Sequence, residues 1–457
     1  MKKIVNLLII FMIFLLVKKS NAQTEMWTSV GAGLNGPVSS LTAFNGKLYA
    51  VYSETTSIAS RLMCWNDTSW SEVTSIDFNN LGYSATIRTM TTYNGSLYVG
   101  GTFDSIGGIA ADRVARYDGA EWSAVGESSF YSLSCCGSQV YRLTVHEGAL
   151  YASGQFDSLN GMACNSIAKY ENNQWQPLDT VLPAPGIIQG ICSYASVLYF
   201  GFFNTNSFVW EVMKYDTSGM RGIGTLTGSS QSADALIGFN GNLYLGGSFS
   251  SVDGVPVQNF ATWDGLSWAS TGGGPVSDTA SDQGGSILNM AVKDNNLYLS
   301  GYFKYFNDVL VNNVARYDGI TSYNVDVGVT ADYAYTEGLC FYNDTLYVGG
   351  QFDTIGTVEA RNVARLRNQG IITSLVTTDA STVMSVYPNP FVEELTIRFS
   401  DNKQYVVQII DAFGKIITET QGSAKISFLR NDIASGIYFV RVTDSNGKVT
   451  VRKIIAT

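Results

Sequence analysis

Histidine and carboxylate chemistry are the first candidates for a catalytic function, and the sequence restricts the former sharply. The 457-residue chain contains one histidine, His146, against 38 Asp and Glu residues. One histidine cannot build a multi-histidine metal site, and its place before Glu147-Gly148, in a predicted tight turn, gives poor support to a Ser-His-Asp catalyst. A carboxylate pair could hydrolyse a glycosidic bond, but no spacing in the sequence nominates one. We therefore predict no catalytic residue, no metal and no cofactor.

Aromatic residues on long connections between strands are the best candidates for a binding surface. Such rings, with carboxylates beside them, can stack on sugars or dock a protein. The alternative is that they pack the loops onto the strands beneath them. The candidates are Tyr83, Phe130, Tyr131, Phe306, Tyr333 and Tyr335, with Asp278, Asp282 and Asp332 nearby in sequence.

The six cysteines fall into two groups. Cys192 and Cys340 each stand six residues before a Leu-Tyr pair, so they occupy equivalent strand positions and are predicted to be unpaired thiols, and Cys64 is predicted to be a core residue. Cys135 and Cys136 lie in the connection that enters the third repeat, and Cys164 lies in the B-to-C connection of that same repeat. We predict a disulfide between Cys164 and either Cys135 or Cys136.

Seven repeats are the elements that must position these residues. Leu-Tyr recurs with spacings of 45–54 residues, beginning at Leu48, Leu97, Leu150, Leu198, Leu243, Leu297 and Leu346. Each repeat is predicted to form four strands, A to D, with tight turns such as Asn94-Gly95 between A and B and Asp118-Gly119 between C and D.

This strand order separates short turns from long connections. The A-to-B and C-to-D turns share one face, and the B-to-C and D-to-A connections share the other. We call the second the long-loop face and predict that it carries the function. Its longest connections are Glu72–Ala85, Glu127–Gln139, Leu178–Gln189, Thr271–Gly285 and Val327–Thr336.

The seventh repeat lacks a Trp strand of its own, and the N-terminal region can supply it. Met26–Gly31 matches Glu121–Gly126, the Trp strand of the second repeat. A first strand that completes the last sheet would protect its edge. Paired glycines in strand B, such as Gly100-Gly101, indicate places where neighbouring sheets approach closely.

The Leu-Tyr-Val-Gly-Gly, Tyr-Asp-Gly and Trp layout resembles kelch and galactose-oxidase-type β-propellers, over about Trp27 to Arg367. The resemblance implies an all-β fold, with a seven-bladed β-propeller closed by the N-terminal strand. It does not carry over the copper-radical oxidation of those oxidases, which needs two histidines. Propellers host enzymes, adhesins and scaffolds alike, so the fold alone names no function.

The N-terminus predicts export. Lys2-Lys3, the apolar run Ile4–Val17 and Ser20-Asn21-Ala22 are typical of a signal peptide over residues 1–22, with a retained anchor as the alternative. No later segment is apolar enough to cross a membrane, so no transmembrane segment is predicted after cleavage. The net charge of −10 and the lack of a basic stripe argue against nucleic acid as a partner.

A second pattern begins after a Thr/Ser-rich linker at 373–382. Residues 383–457 are predicted to form an Ig-like β-sandwich, with strands such as Leu395–Phe399 and Val406–Ile410. Their motifs resemble the type A C-terminal sorting domain of the type IX secretion system. The residues concerned are Tyr387, Pro388, Asn389, Pro390, Phe391, Gly414, Gly436, Tyr438 and Lys453. The resemblance implies a Bacteroidota protein that is secreted or held at the cell surface, with the outer-membrane export machinery as a partner.

The predicted function belongs to residues 23–372. We expect this propeller to bind a glycan or a surface protein through its long-loop face. The alternatives are a secreted polysaccharide-active enzyme that uses carboxylates and a structural surface protein without a discrete site.

Overall fold

The computed structural model describes residues 25–54, 59–76, 84–126, 129–132, 137–178, 182, 184–277, 284–329, 334–368, 384–399, 401–411, 416–430, 433–444 and 449–456. The described residues fall into two compact units, 25–368 and 384–456. Both are built from strands, and within them no helix is long and apolar enough to span a membrane. The predicted signal peptide and linker lie outside the described residues.

The described residues of the first unit form forty strands. The first eleven are β1 (Glu25–Ser29), β2 (Val38–Phe44), β3 (Lys47–Ser53), β4 (Ser60–Trp65), β5 (Trp70–Ile76), β6 (Ile87–Tyr93), β7 (Ser96–Gly101), β8 (Ser105–Ile106), β9 (Ile109–Ala110), β10 (Val114–Tyr117) and β11 (Trp122–Ala124). Then come β12 (Phe130–Tyr131), β13 (Gln139–His146), β14 (Ala149–Gln155), β15 (Ser158–Leu159), β16 (Met162–Ala163), β17 (Ile167–Glu171), β18 (Gln174–Pro177), β19 (Gly186–Tyr194), β20 (Val197–Asn204), β21 (Val209–Asp216) and β22 (Gly219–Thr227). The remainder are β23 (Ser232–Phe239), β24 (Asn242–Ser248), β25 (Ser251–Val252), β26 (Val255–Pro256), β27 (Phe260–Trp263), β28 (Trp268–Ser270), β29 (Pro275–Val276), β30 (Ser286–Lys293), β31 (Asn296–Tyr302), β32 (Tyr305–Phe306), β33 (Val309–Leu310), β34 (Val314–Tyr317), β35 (Ser322–Asn324), β36 (Tyr335–Tyr342), β37 (Thr345–Gln351), β38 (Thr354–Ile355), β39 (Val358–Glu359) and β40 (Val363–Asn368).

The longer strands form seven antiparallel sets of four, which we number as sheets 1 to 7. They are β2-β3-β4-β5, β6-β7-β10-β11, β13-β14-β17-β18, β19-β20-β21-β22, β23-β24-β27-β28, β30-β31-β34-β35 and β36-β37-β40-β1. The strand that completes sheet 7 comes from the start of the unit, and β1 pairs with β40 in the register Trp27↔Leu366. Six sheets are therefore continuous in sequence, and sheet 7 joins the two ends of the unit.

The first strand of each sheet contacts the first strand of the next. The contacts run from β2 through β6, β13, β19, β23, β30 and β36, and β36 contacts β2 in turn. These seven strands therefore surround a common axis. Hydrophobic cores lie between neighbouring sheets, as where Val38 and Leu48 of sheet 1 pack with Tyr347 and Val363 of sheet 7.

Tryptophan side chains tie the outer strands of neighbouring sheets together. The indole Nε1 of Trp70 donates to the Val30 carbonyl at 3.0 Å, and that of Trp175 donates to the Val125 carbonyl at 3.0 Å. The Trp27 indole donates to the Val325 carbonyl, also at 3.0 Å. Each bond links a fourth strand to the end of the fourth strand in the preceding sheet, which explains why Trp marks that strand in the sequence.

The paired glycines of the second strands face two different neighbours. A Cβ on Gly100 would lie 2.7 Å from a Val140 methyl group of sheet 3, so this glycine permits the next sheet to approach. A Cβ on Gly101 would lie 1.9 Å from the Thr86 carbonyl oxygen, which precedes the first strand of its own sheet. Both positions therefore require the absence of a side chain.

The second unit consists of two sheets that share one core. Its strands are β41 (Met384–Tyr387), β42 (Glu394–Phe399), β43 (Tyr405–Asp411), β44 (Ile416–Gly422), β45 (Lys425–Leu429), β46 (Gly436–Asp444) and β47 (Val449–Ala456). One sheet has the order β41-β42-β45 and the other β44-β43-β46-β47. Leu395 and Ile397 of the first sheet pack with Val407 and Val440 of the second.

The glycine contacts give a stability test. We expect Gly101→Ala to lower the free energy of unfolding by about 3 kcal/mol, because the new methyl group meets backbone that cannot rotate away. Gly222→Ala is the matched control: its Cβ would meet only the Met213 sulfur, at 3.7 Å. The control should stay within about 0.5 kcal/mol of the parent in urea unfolding. Equal losses in both variants would contradict this account of the glycine pair.

Candidate functional site

Short hairpins stiffen the long-loop face, and the sequence analysis missed them. The pairs β8/β9, β15/β16, β25/β26, β32/β33 and β38/β39 each lie in the connection from a second to a third strand. Two of these hairpins also pair with a short strand in the connection that leads into the same sheet: β15 pairs with β12, and β32 pairs with β29. Their sequence signal is an apolar residue on each side of a two-residue turn such as Asn160-Gly161.

Asparagine side chains fasten these hairpins to the following sheet. The Asn313 Oδ1 accepts a hydrogen bond from the Phe303 amide at 2.7 Å, and its Nδ2 donates to the Ala334 carbonyl at 2.9 Å. Asn362 repeats the arrangement with the Phe352 amide, at 3.0 Å, and the Leu34 carbonyl, at 2.9 Å. Each residue also has a positive φ, a backbone conformation that asparagine tolerates. The loops are therefore held by polar contacts that cross between sheets.

Two of the predicted ligand-facing aromatics are core residues, which corrects that prediction. Phe130 is 4% exposed and packs edge-to-face against Phe156 and Trp175. Phe306 is 0% exposed and packs against Phe260. Both rings belong to the short strands β12 and β32, whose pairing turns them inward. The packing alternative therefore holds for these two side chains.

The other predicted aromatics differ in their surroundings. Tyr131 is 55% exposed, next to the buried Phe130, and Tyr335 is partly buried at the start of β36. Tyr83 and Tyr333 lie outside the described residues, as do Asp278, Asp282 and Asp332. The structure thus leaves Tyr131 and Tyr335 as candidates on this face.

An irregularity at the start of each first strand creates a position that the sequence analysis did not identify. The pairing register between first and second strands shifts in all seven sheets, as between Ile87 and Thr89 or between Thr336 and Gly338. The residues bypassed by these shifts all stand nine residues before the Leu of a Leu-Tyr pair. They are Ser39, Arg88, Tyr141, Gln189, Asp234, Leu288 and Glu337.

These bypassed residues lie where the first strands leave the long connections. Because the first strands surround the common axis, the bypassed residues converge at the long-loop end of that axis. We call this region the channel mouth. Aligning the repeats on Leu-Tyr would have revealed its position as a mostly polar one, although not which of its members come together.

Two arginines occupy one side of the channel mouth. The Arg88 guanidinium lies over the Tyr141 ring, 5.2 Å from its centroid. Arg142, the residue after Tyr141, donates from a terminal nitrogen to the Tyr141 carbonyl at 3.0 Å. The Tyr141 hydroxyl is 3.3 Å from Gln155 Oε1. One tyrosine therefore organises both guanidinium groups.

Two carboxylates from distant sheets accompany the arginines. The Asp234 Oδ2 accepts from the Ser232 hydroxyl at 2.6 Å and from the Ser286 hydroxyl at 3.4 Å. The Glu337 backbone carbonyl accepts from Asn289 Nδ2 at 3.0 Å, which fixes the irregular segment of β36. Both carboxylate side chains are partly exposed.

The arginine charges act on the ionisation of the two carboxyl groups. Burial raises the pKa of the Glu337 carboxyl; the Arg142 and Arg88 guanidinium groups lower it, and the Asp234 carboxylate raises it. Burial also raises the Asp234 pKa, against the effects of Ser232 and Arg142. Burial, followed by the Glu337 charge, raises the pKa of the Tyr335 hydroxyl. Groups from sheets 2, 3, 5 and 7 therefore share one electrostatic environment.

The remaining candidates for chemistry have structural surroundings. His146 is 4% exposed, its Nδ1 lies 2.9 Å from the Ser193 hydroxyl, and its ring packs edge-on to Tyr151. Cys192 and Cys340 are unpaired thiols. Cys164 is likewise a free thiol and is buried; its predicted partners Cys135 and Cys136 lie outside the described residues, so the disulfide stays a prediction. Across the described residues, no group of three potential ligands could hold a metal ion.

Two clefts lie away from the channel mouth. The smaller, of about 370 Å³, is lined by Arg116 and Tyr170, whose polar atoms bond to Ser96 at 2.9 Å and Asn173 at 2.5 Å. The larger, of about 620 Å³, contains Arg221, which pairs with Asp216 at 2.8 Å. Because these charged groups have partners within the protein, the channel mouth is the stronger candidate site.

Comparison with protein families identifies parts of both units. Residues 94–119, from the first turn of sheet 2 to the turn after β10, match a family described as a domain of unknown function (DUF5122) beta-propeller. Residues 385–457 match the secretion system C-terminal sorting domain. The first unit is a β-propeller. The second carries the protein out of the cell through the type IX secretion system, to the cell surface or into the medium.

Comparison with solved structures returns matches at low similarity. The Dos1 propeller has a TM-score of 0.41 and 12% identity, covering 73% of this chain and 78% of that one. The WD40 domain of Toxoplasma gondii coronin has a TM-score of 0.38 and 12% identity, covering 74% and 83%. The extracellular domain of a one-component system from B. thetaiotaomicron has a TM-score of 0.33 and 11% identity, covering 92% and 67%. No protein of curated function matches the chain.

The sorting motif surrounds the end of the last strand. The Asn389 Oδ1 accepts from the Ile455 amide at 2.8 Å, and the Phe391 amide donates to the Ile455 carbonyl at 2.9 Å. Phe391 is 0% exposed, whereas Tyr387 is 41% exposed. Pro388 and Pro390, on either side of Asn389, are exposed.

The later motif residues lie on β46 and β47. Gly436 begins β46, two residues before Tyr438, which is 8% exposed in the core. Lys453 lies opposite Phe439 in the register of β46 and β47. Gly414 is outside the described residues. Motif residues from both ends of the domain therefore meet at β47.

Removing the sorting domain gives a test of export. A chain ending before residue 385 should accumulate in the periplasm, because the remaining propeller lacks the domain that the export system reads. Cell fractionation and immunoblotting measure the distribution, and the full chain should reach the surface or medium. Export of the shortened chain at the full-length level would contradict the assignment.

Desolvation at the channel mouth predicts a pH-dependent stability effect. A carboxyl whose pKa is higher in the folded protein than in the unfolded chain destabilises the fold as pH rises from the unfolded pKa, about 4.5, through the folded pKa. Glu337→Gln should therefore raise the free energy of unfolding at pH 7 by about 1 kcal/mol and give no gain near pH 4. Glu121→Gln, at an exposed position, is the control. A gain for Glu337→Gln that is the same at both pH values would show that the carboxyl is not desolvated.

Proposed function

We propose that the first unit is a closed seven-bladed β-propeller whose channel mouth binds a glycan or a surface protein after export. Seven four-stranded sheets and the pairing of β1 with β40 support the blade count and the closure. The kelch-type repeat layout and a Bacteroidota source belong to the same proposal, as does an Ig-like sandwich for the second unit. The repeat pattern, the sorting motif and the shared core of the two C-terminal sheets support these assignments.

The incomplete pairing of charges at the channel mouth carries the functional proposal. Arg88 and Arg142 act on the ionisation of Glu337, and Arg142 acts on that of Asp234, yet among the described residues no ion pair within 4 Å joins an arginine to a carboxylate there. A channel with only a structural role would be filled by apolar side chains or by closed ion pairs, because desolvated unpaired charges cost free energy. A bound polar ligand would supply the missing partners.

The rigidity of the surrounding loops supports ligand binding at this face. Hairpins and asparagine contacts hold the connections before any ligand arrives, so little conformational entropy is lost on binding. Tyr131 and Tyr335 are proposed to extend the site outward from the channel mouth. The proposed Cys164 disulfide to Cys135 or Cys136 would restrain the same face.

A carboxylate-dependent polysaccharide-active enzyme is the second candidate. Asp234 and Glu337 form the pair of carboxylates that such chemistry requires, and burial raises the pKa of both. A carboxyl kept protonated near neutral pH can act as a general acid on a glycosidic oxygen. In this reading one of the two carboxyls would protonate the glycosidic oxygen, and the other, in its ionised form, would activate water.

One experiment distinguishes these candidates. The purified protein is applied to a glycan array, and each glycan that binds is then incubated with the protein and assayed for released sugar. We expect retention without release, and we expect Asp234→Asn combined with Glu337→Gln to weaken binding by about tenfold or more. Glu121→Gln combined with Asp294→Asn, two exposed carboxylates elsewhere, should leave affinity within about twofold.

The other outcomes are equally informative. Release of sugar that depends on Asp234 and Glu337 would establish the enzyme. Binding that is unchanged by the double variant would remove the channel mouth from the proposal. If no glycan binds, the glycan part of the proposal fails, and a protein ligand must then show the same dependence on the two carboxylates.

A further inference from the structure

Arg88 is the cation of the channel mouth that most clearly lacks a partner. It is exposed, it forms no hydrogen bond or ion pair with any described residue, and its contact is with the face of Tyr141. A guanidinium stacked on a ring keeps its N–H edge free, and that edge fits a carboxylate with two parallel hydrogen bonds. Arg142 donates to one partner among the described residues, the Tyr141 backbone carbonyl, and can contribute a second cation. The arrangement is suited to an anion that is planar and oxygen-rich.

The opposite side of the channel mouth offers acceptors for hydroxyl groups. Asp234 receives its two serine hydrogen bonds on Oδ2, which leaves Oδ1 available. The Glu337 carboxyl forms no hydrogen bond with a described residue. Carboxylate oxygens accept hydrogen bonds from neighbouring hydroxyls of a sugar ring, and Tyr335 offers an aromatic surface beside Glu337.

We propose that the channel mouth binds a sugar acid: a polyhydroxylated ligand whose carboxylate pairs with Arg88 and Arg142 while its hydroxyls donate to Asp234 and Glu337. The inference rests on the proposed function and narrows the ligand to uronate-type sugars, free or within a polysaccharide. A peptide is the competing ligand. A peptide ammonium group would pair with the two carboxylates, whereas a sugar acid presents a carboxylate and neighbouring hydroxyls on one ring, which matches a free guanidinium edge across from carboxylate acceptors.

The two ligand classes differ in their linkage to protons. A ligand carboxylate that pairs with Arg88 and Arg142 offsets the guanidinium charges that favour the ionised forms of Asp234 and Glu337, whose pKa values burial already raises, so binding takes up a proton and tightens as pH falls. The groups facing these carboxyls are Arg88 and Arg142 from sheets 2 and 3, Ser232 and Ser286 from sheets 5 and 6, and Tyr335 from sheet 7. A ligand that presents an ammonium group favours the ionised carboxylates, so its affinity would weaken as the pH falls.

Calorimetric titration of the purified protein tests the proposal with defined probes. The probes are galacturonate and galactose, which share a ring and differ in the carboxylate, with polygalacturonate as the polymeric source. We expect galacturonate or its polymer to bind about tenfold or more tightly than the matching neutral sugar. Binding of the polymer alone would identify a polysaccharide as the source, and binding of both would identify the single sugar as sufficient.

Variants assign the effect to the guanidinium. Arg88→Gln should weaken uronate binding by about tenfold, and Arg88→Lys, which keeps the charge, should retain more of it. Arg367→Gln is the matched control, since Arg367 is an exposed arginine of β40 outside the channel mouth. Its affinity should remain within about twofold. Uronate affinity should rise between pH 7.5 and about pH 5.5.

Several results would overturn the proposal. They are equal affinity for galactose and galacturonate, no binding of either uronate probe, or an unchanged uronate affinity in Arg88→Gln. A uronate affinity that weakens as the pH is lowered from 7.5 to about 5.5 would also overturn it. A neutral glycan that loses affinity in the Asp234→Asn, Glu337→Gln variant would keep the proposed function and reject this narrower one. The two failures are therefore distinguishable.

Discussion

The pairing of the first strand with the last strand of the propeller is the constraint on which the structure depends. β1 pairs with β40, although the two strands stand at opposite ends of the unit's sequence. The Trp27 indole of β1 also donates a hydrogen bond to the Val325 carbonyl at the end of sheet 6. The next sheet is reached by the contact of Asn362 with the Leu34 carbonyl. Without these contacts sheets 1 and 7 would expose unpaired strand edges. The first strands of sheets 7 and 1 would then no longer be held next to each other around the common axis.

In the proposed closed propeller, the channel mouth follows from the pairing of β1 with β40. Arg88 and Glu337 are separated by most of the propeller sequence, and only the circular order of sheets brings them to the same opening. Each lies at a shift in the pairing register between the first and second strands of its sheet, which leaves one residue of the first strand without a partner in the pairing. A regular scaffold thus provides seven equivalent positions, and the residue types at those positions determine the chemistry. We propose that Arg88 and Arg142 on one side of the opening, and Asp234 and Glu337 on the other, bind a polar ligand between them.

Much of the fold could be predicted from the sequence because its determinants are local. Turn pairs such as Asn94-Gly95 require a positive φ, the Leu-Tyr period marks the second strands, and Trp27 lies in a segment that matches other fourth strands. The sorting domain could be identified because its motifs follow one another in a fixed order. All-β structure and a β-propeller are confirmed, and the secretion-system domain is found at 385–457.

The site could not be predicted in the same way, because its members are defined by contacts between distant sheets. Phe130 and Phe306 looked like loop residues, but short strands turn their rings into the core. The effect of Arg142 in sheet 3 on Asp234 in sheet 5 depends on how the sheets are arranged in space, and an isolated Asp in a first strand gives no sign of it. Repeat alignment supplies the equivalent positions; the structure supplies their neighbours.

A double-mutant cycle on Arg88 and Glu337 tests the closed channel mouth most directly. The two side chains belong to sheets 2 and 7, so they can interact only if the circle of sheets is completed. The free energy of unfolding is measured for the parent, Arg88→Gln, Glu337→Gln and the combined variant at pH 7. We expect a coupling of about 0.5 kcal/mol or more that shrinks as salt is added. Additivity within about 0.3 kcal/mol at low salt would contradict it, because the two charges would then not share an opening.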